Sequence, residues 1–230
     1  MKARRRAPSE GRFIALEGLD GSGTTTQAER IASVLRAQGH RVLLTREPSD
    51  GPIGTLVRLA LTGRLGLPQR SGPLTEDALA LLFAADRLDH LAAVVEPALE
   101  RGELVVCDRY VLSSLAYQGS ALPMDWVEQI NARARAPDLT LFLEIDVGTA
   151  ARRRARRGGQ PELFEADERQ SRIARCYLEA IRRRRRAERI VRIDGTLPVE
   201  AVSRAALGAI APLLRRPTAP RAARRGRRRA

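Results

Sequence analysis

The sequence predicts an α/β fold: a five-stranded parallel sheet flanked by helices. Three observations predict it. Five short apolar runs recur along the chain, helix-length amphipathic stretches separate them, and a glycine-rich turn joins the first run to the first of those stretches. Ligands of such sheets bind beyond the carboxyl ends of the strands. The residues that close each run therefore come first: Gly18 to Thr26, Thr45 to Pro48, Asp108 to Tyr110, and Asp146.

In chain order the strands are "RFIALEG" (12–18), "RVLLTREP" (41–48), "ELVVCDRY" (103–110), "DLTLFLEID" (138–146) and "RIVRIDG" (189–195). The helical stretches are 25–38, 52–62, 75–101, 124–136, 147–157, 165–187 and 198–214. Gly39, Gly102 and Gly158 stand where helix C-caps are expected, and Pro198 suits the first turn of the last helix. Residues 63–74 read as a loop, and no internal repeat is present.

A chain of 230 residues suits one α/β domain, and 43% hydrophobic content is enough for a core. Aromatics make up only 3%, so that core is built from Leu, Val, Ile and Ala. The net charge of +14 lies mostly at the ends: residues 1–10 carry +3 and residues 215–230 carry +8, leaving +3 for the body. We therefore divide the chain into a basic disordered N-terminal segment (1–11), a folded domain (12–214) and an arginine-rich disordered tail (215–230), whose Pro, Gly, Ala and Arg cannot offset their ordering entropy. The tails are expected to bind polyanions weakly at most, and the near-neutral body with few aromatics argues against a nucleic-acid-binding protein. Cys107 and Cys176 lie far apart with no metal-ligand spacing, as reduced thiols of a cytoplasmic protein do. No apolar run approaches the roughly 18 residues of a membrane span.

Gly18 and Gly23 are five apart, the spacing of the phosphate-binding loop G-x-x-x-x-G-K-[ST], and they sit between a strand and a helix as that motif requires. Together these features predict a P-loop NTPase-type three-layer sandwich. Glycines let backbone N–H groups turn onto phosphate oxygens, and the helix N-terminus adds partial positive charge. The donor-nucleotide site then runs from Gly18 through Leu19, Asp20, Gly21, Ser22 and Gly23 to Thr24, Thr25 and Thr26. The Thr25 hydroxyl occupies the Mg²⁺-binding slot. Thr24 occupies the lysine slot and brings no charge. Losing one such electrostatic stabiliser costs roughly 10²–10³ in rate. Lys2 is the only lysine, so the compensating charge must come from arginine or metal.

The blocks "LEGLDGSG", "TREP", "LLFAADRLDHL" and "VVCDRYVLSSLAYQG", in that order over about 12–210, resemble thymidylate kinase, a family that phosphorylates dTMP to dTDP with ATP. The resemblance implies ATP and Mg²⁺ as cofactors, with Asp108 beside Thr25 at the metal. It implies that Arg109 contacts both the acceptor phosphate and the transferred group, that Arg46 and Glu47 lie near the acceptor phosphate and sugar with Glu47 in a catalytic role, and that Arg58 is a further phosphate contact. Phe83 is expected to stack on thymine and Arg87, four residues on, to reach its O4. Ser114, Tyr117 and Gln118 are expected to contact the base and disfavour a ribose 2′-hydroxyl. Asp20 matches an acidic position near sugar and metal.

The stretch "ARRRARRGGQPELFEADER" stands where the family carries a mobile lid, about 151–165. Gly21 occupies the place where some members carry a loop arginine, so the chain resembles the group that supplies arginines from the lid. Arg153 and Arg157, an i, i+4 pair, are the expected catalytic arginines. The family is usually a homodimer, and helix 75–101 offers the face. Two departures stand out: "TREPSDGP" replaces the common "TREPGG", and Leu112 stands where an acidic residue is common. Two other functions stay open at this point: a degenerate nucleotide-binding relative with little activity, and a kinase for another nucleoside monophosphate.

Overall fold

The structure, a computed structural model, describes residues 11–65, 74–156 and 165–215. Arg157, Gly158 and most of both predicted tails lie outside the described residues. Five parallel strands form one sheet in the order β2-β3-β1-β4-β5: β1 Arg12–Gly18, β2 Val42–Arg46, β3 Leu104–Asp108, β4 Leu139–Glu144 and β5 Ile190–Asp194. β1 is central, with Leu16 opposite Asp108 of β3 and Leu141 of β4. The chain reverses direction across the sheet beside β1, the kind of point at which such sheets bind their ligands.

Every residue of β1 after Arg12 is buried, so the strand reads as a continuous apolar run and not as an alternating one. Its side chains still alternate between two cores. Phe13 and Ala15 join Val105, Cys107 and Phe142 on one face, whereas Ile14 and Leu16 join Val106, Leu141 and Leu143 on the other. Helices α1 (Thr24–Ala37) and α9 (Val199–Arg215) cover the second face through Ile31, Leu35, Ala206 and Ile210. On the first face lie α5 (Val111–Tyr117) and α8 (Glu165–Arg184), packed through Leu115, Ile173 and Tyr177.

The glycine caps form as expected. Gly39 has φ 87°, its N–H donates to Arg36 O (2.9 Å), and His40 N–H reaches Leu35 O (3.0 Å). Gly102 closes the next long helix in the same way. Pro198 stands just before α9 and its carbonyl accepts from Val202 N at 3.1 Å.

Three expectations change. The single helix expected over 75–101 is α3 (Glu76–His90), a π-helical turn (Leu91–Val95) and α4 (Glu96–Glu100). Pro97 has no N–H for the carbonyl of Ala93 and its ring crowds that carbonyl, and the widened turn falls on those residues. The helix expected over 124–136 is α6, Met124–Ile130; buried Asn131 follows it and donates to Val127 O at 2.8 Å. Helix α5 was not expected at all. Six of its seven residues are buried, so it lacks the polar face that marks a helix by its period. The remaining helices are α2 (Pro52–Leu61) and α7 (Val147–Arg156).

Candidate active site

The turn from β1 into α1 has the strand, glycine-rich turn and helix geometry that the sequence predicts for a phosphate-binding loop. Gly21 and Gly23 have φ 96° and 93°, in the left-handed region that favours glycine. Gly21 also lies against α7: a Cβ there would stand 2.7 Å from Ala150 O. Thr24 begins α1 and is buried, while Thr25 faces outward. Thr25 Oγ1 donates to Asp108 Oδ2 at 2.5 Å, which brings the expected metal pair together. Asp108 Oδ1 is buried without a partner. An orphaned carboxylate oxygen beside a hydroxyl fits a hard cation that takes one or two protein oxygens and completes its shell from water and phosphate. Among the described residues no cluster of three or more His, Cys, Asp or Glu competes for that role.

Arg109 joins this loop to the neighbouring cavity. It is the one non-glycine residue with positive φ (70°) among the described residues, held by its N–H on Leu16 O at 2.8 Å. Its Nη1 donates to Gly18 O at 3.0 Å and its Nη2 pairs with Asp20 Oδ1 at 2.5 Å, while its guanidinium lies over the Tyr117 ring. Asp20, expected near the sugar and metal, is thus the counter-ion of Arg109.

Sequence reading missed the group beneath. Glu17 is fully buried; its Oε1 accepts from Tyr110 N (2.9 Å) and Ser113 N (3.2 Å), and its Oε2 from Ser113 Oγ (2.5 Å). Tyr177 of α8 lies 2.9 Å from Ser113 Oγ and donates to Gly18 O at 3.0 Å. The carboxylate thereby caps α5 and joins β1, α5 and α8 under the loop. Burial pushes its pKa up to about 7, against the lowering effect of the Ser113 hydrogen bond and of the Arg109 and Arg87 charges. A charged residue inside an otherwise apolar strand run was the signal that could have found it.

A cavity of about 320 Å³ lies next to Arg109. Phe83, Arg87, Ser114, Tyr117, Gln118, Glu47 and Asp20 all line it, so most expected acceptor residues converge on one space. Arg87 is also a structural cation. It is buried and donates to Glu47 Oε2 (Nε, 2.9 Å), to Ser114 Oγ (3.0 Å) and to Asn131 Oδ1. His90 adds a 3.3 Å contact to Glu47 Oε1 and a 2.7 Å contact to Thr45 Oγ1. Glu47 is therefore held by Arg87 and His90 at the cavity wall.

Arg46 and Arg58 do not line that cavity. Arg46 Nη2 pairs with Asp50 at 2.8 Å, and Arg58 Nη1 lies 3.8 Å from the same carboxylate while bonding Pro48 O at 3.2 Å and also Ser49 O. Asp50 and Ser49 come from the departure "SD" after "TREP"; Ser49 Oγ donates to buried Asp86 at 2.5 Å. Leu112 packs in the core. Asp146 caps α7 by accepting from Thr149 N (2.8 Å) and Oγ1 (2.6 Å).

Of the two expected lid arginines, Arg157 lies outside the described residues, and Arg153 Nη1 donates to Gly195 O (2.8 Å) at the turn after β5. Its neighbour Arg154, not singled out from sequence, donates to Asp20 O at 3.0 Å.

A family model described as thymidylate kinase matches residues 16–206. A probable thymidylate kinase of Pyrococcus abyssi is 44% identical over 171 residues, covering 74% of this chain and 82% of that protein. A thymidylate kinase of Alkalilimnicola ehrlichii is 42% identical over 200 residues, covering 84% and 89%. One of Xanthomonas oryzae is 42% identical over 168 residues, covering 72% and 69%.

Proposed function

The chain belongs to the thymidylate kinase family, and on that premise we propose that it transfers the γ-phosphoryl group of ATP to dTMP, giving ADP and dTDP. The observation that carries the reading is the placement of Arg109, whose guanidinium lines the acceptor cavity and donates to Gly18 O of the phosphate loop. An acceptor phosphate in that cavity and a donor phosphate on that loop would share one cation.

The chemistry requires alignment and charge neutralisation and no covalent intermediate. Backbone N–H groups of Gly21, Gly23, Thr24 and Thr25 at the α1 N-terminus receive the donor phosphates, while Ser22 N–H closes the turn on Leu19 O. Arg109, fixed by Asp20 and Gly18 O, lies between donor and acceptor. Phe83 offers its ring to the base, and Gln118 and Ser114 offer polar edges. Tyr117 walls the sugar side, and Glu47, braced by Arg87 and His90, orients the acceptor. Arg46 and Arg58 hold the outer phosphate oxygens after leaving Asp50. Thr25 and Asp108 would hold Mg²⁺, directly or through water. Mg²⁺ there would screen the charge of the donor phosphates and keep them in line.

Leu81, Leu88 and Val94 are exposed along α3 and its π turn, and we assign this face to a second copy of the chain. We place the enzyme in the cytoplasm, where its free cysteines, Cys107 and Cys176, would stay reduced. Steady-state ADP release with ATP and Mg²⁺ tests the function, run with dTMP, dUMP, dGMP and no acceptor. The reading expects the highest kcat/KM with dTMP; equal rates with and without acceptor would contradict it.

A further inference from the structure

Building on the kinase reading, we propose that Arg154 supplies, from α7, the positive charge that Thr24 does not bring to the phosphate loop. The loop needs such a charge because its backbone N–H groups carry only partial charge, whereas the donor carries several full negative ones. Lys2 is the only lysine in the chain, so a substitute from the protein itself is an arginine that the fold delivers to the loop.

α7 delivers it through a close packing contact. Gly21, at φ 96°, has no Cβ, and one placed there would stand 2.7 Å from Ala150 O. The start of α7 is fixed by its Asp146 cap and by Ala150 N–H on Asp146 O at 3.0 Å. Arg154 is four residues after Ala150 and so lies on the same helix face, one turn on. Its Nη1 donates to Asp20 O at 3.0 Å, at the crest of the loop. The glycine that makes room for α7 thus also brings in its arginine.

Among the described residues, the other arginines near the loop have different partners. Arg153 bonds Gly195 O and Arg152 bonds Thr149 Oγ1. Arg109 is tied to Gly18 O and Asp20 Oδ1 from the acceptor side. Arg154 and Arg109 approach the same loop residue from opposite sides, one through its carbonyl and one through its carboxylate.

In the transfer an oxygen of the dTMP phosphate forms a bond to Pγ. The bond from Pγ to the β–γ bridging oxygen breaks, and its electron pair stays on that oxygen of ADP. A dianionic acceptor phosphate needs no proton removed. Negative charge grows on the bridging oxygen, and a cation at the loop crest, where Arg154 bonds Asp20 O, would stabilise it.

The test compares wild type, R154Q, R154K, T24K, the double variant T24K/R154Q and the exposed control R152Q. Two quantities are read: kcat with dTMP, and the ratio of affinities for AMP-PNP and ADP by calorimetry with Mg²⁺ present. R154Q is expected to lose about 10²–10³ in kcat and most of its preference for AMP-PNP, with R154K intermediate and R152Q unchanged. The double variant should regain at least about tenfold over R154Q, because lysine at position 24 restores the charge from α1. R154Q with wild-type kcat and wild-type affinity ratio would overturn the proposal. So would a double variant no better than R154Q while T24K alone remains active. A wild type inactive on dTMP would defeat the kinase reading, and the affinity ratio would still decide the role of Arg154.

Discussion

Thr25 Oγ1 and Asp108 Oδ2 stand 2.5 Å apart, so the first turn of α1 and the end of β3 meet at the mouth of the phosphate loop. The second Asp108 oxygen is buried and unpartnered. Replacing Asp108 by asparagine removes the negative charge and keeps the shape. We expect D108N to raise the Mg²⁺ concentration for half-maximal rate and to lower activity about 10–100-fold. A magnesium titration of both proteins checks this; an unchanged titration midpoint would remove Asp108 from the metal site.

Glu17 sets a pH dependence of stability. Its folded pKa of about 7 stands above its ordinary value of 4.5, chiefly because burial disfavours the charge. Between those values the folded chain binds more protons than the unfolded chain, so stability falls as pH rises through that window. The effect approaches about 3 kcal/mol at pH 8, from about 1.4 kcal/mol per pKa unit. E17Q keeps an acceptor for the α5 N–H groups and abolishes the titration. Urea unfolding at pH 5 and pH 8 should show the wild type losing more stability than E17Q. Equal losses would mean that Glu17 titrates normally.

Arg87 carries a stability prediction besides its place at the cavity. Its removal leaves Glu47 buried and short of its main partner. R87A should cost about 3–5 kcal/mol, as breaking buried ion pairs does. Thermal unfolding without ligand measures this, and an unchanged midpoint would show that Arg87 serves the ligand alone.

Asp50 is a competing anion for Arg46 and Arg58, the arginines we propose for the acceptor phosphate. The pair with Arg46 is exposed, so its worth is about 1 kcal/mol or less. D50N should therefore lower KM for dTMP by a factor of about two to five with little change in kcat, and the gain should shrink at high salt. A higher KM would mean that Asp50 helps to hold the acceptor.

The strands, the glycine-rich turn and the residues that converge on one cavity were legible because each rests on a local pattern. β1 matches its expected bounds, and Phe83, Arg87, Ser114, Tyr117 and Gln118 converge on one cavity. What could not be read depends on contacts between distant elements. The role of Glu17 emerges only when α5, itself nearly all buried, folds beneath the loop. Arg154 and Arg153 are adjacent in sequence and alike in type, and only the packing of Ala150 on Gly21 sets which one reaches the loop. The capture of Arg46 and Arg58 by Asp50 likewise needed the turn after "TREP" in three dimensions.

A phosphate loop with threonine in the lysine slot should still transfer a phosphoryl group to dTMP. Single-turnover transfer from γ-labelled ATP measures this, with excess wild-type enzyme, Mg²⁺ and dTMP, quenched over milliseconds to minutes. The label should move into dTDP at about 1–100 s⁻¹, the ordinary range for kinases. Label that stays in ATP, or that appears only as inorganic phosphate while both nucleotides bind, would contradict it.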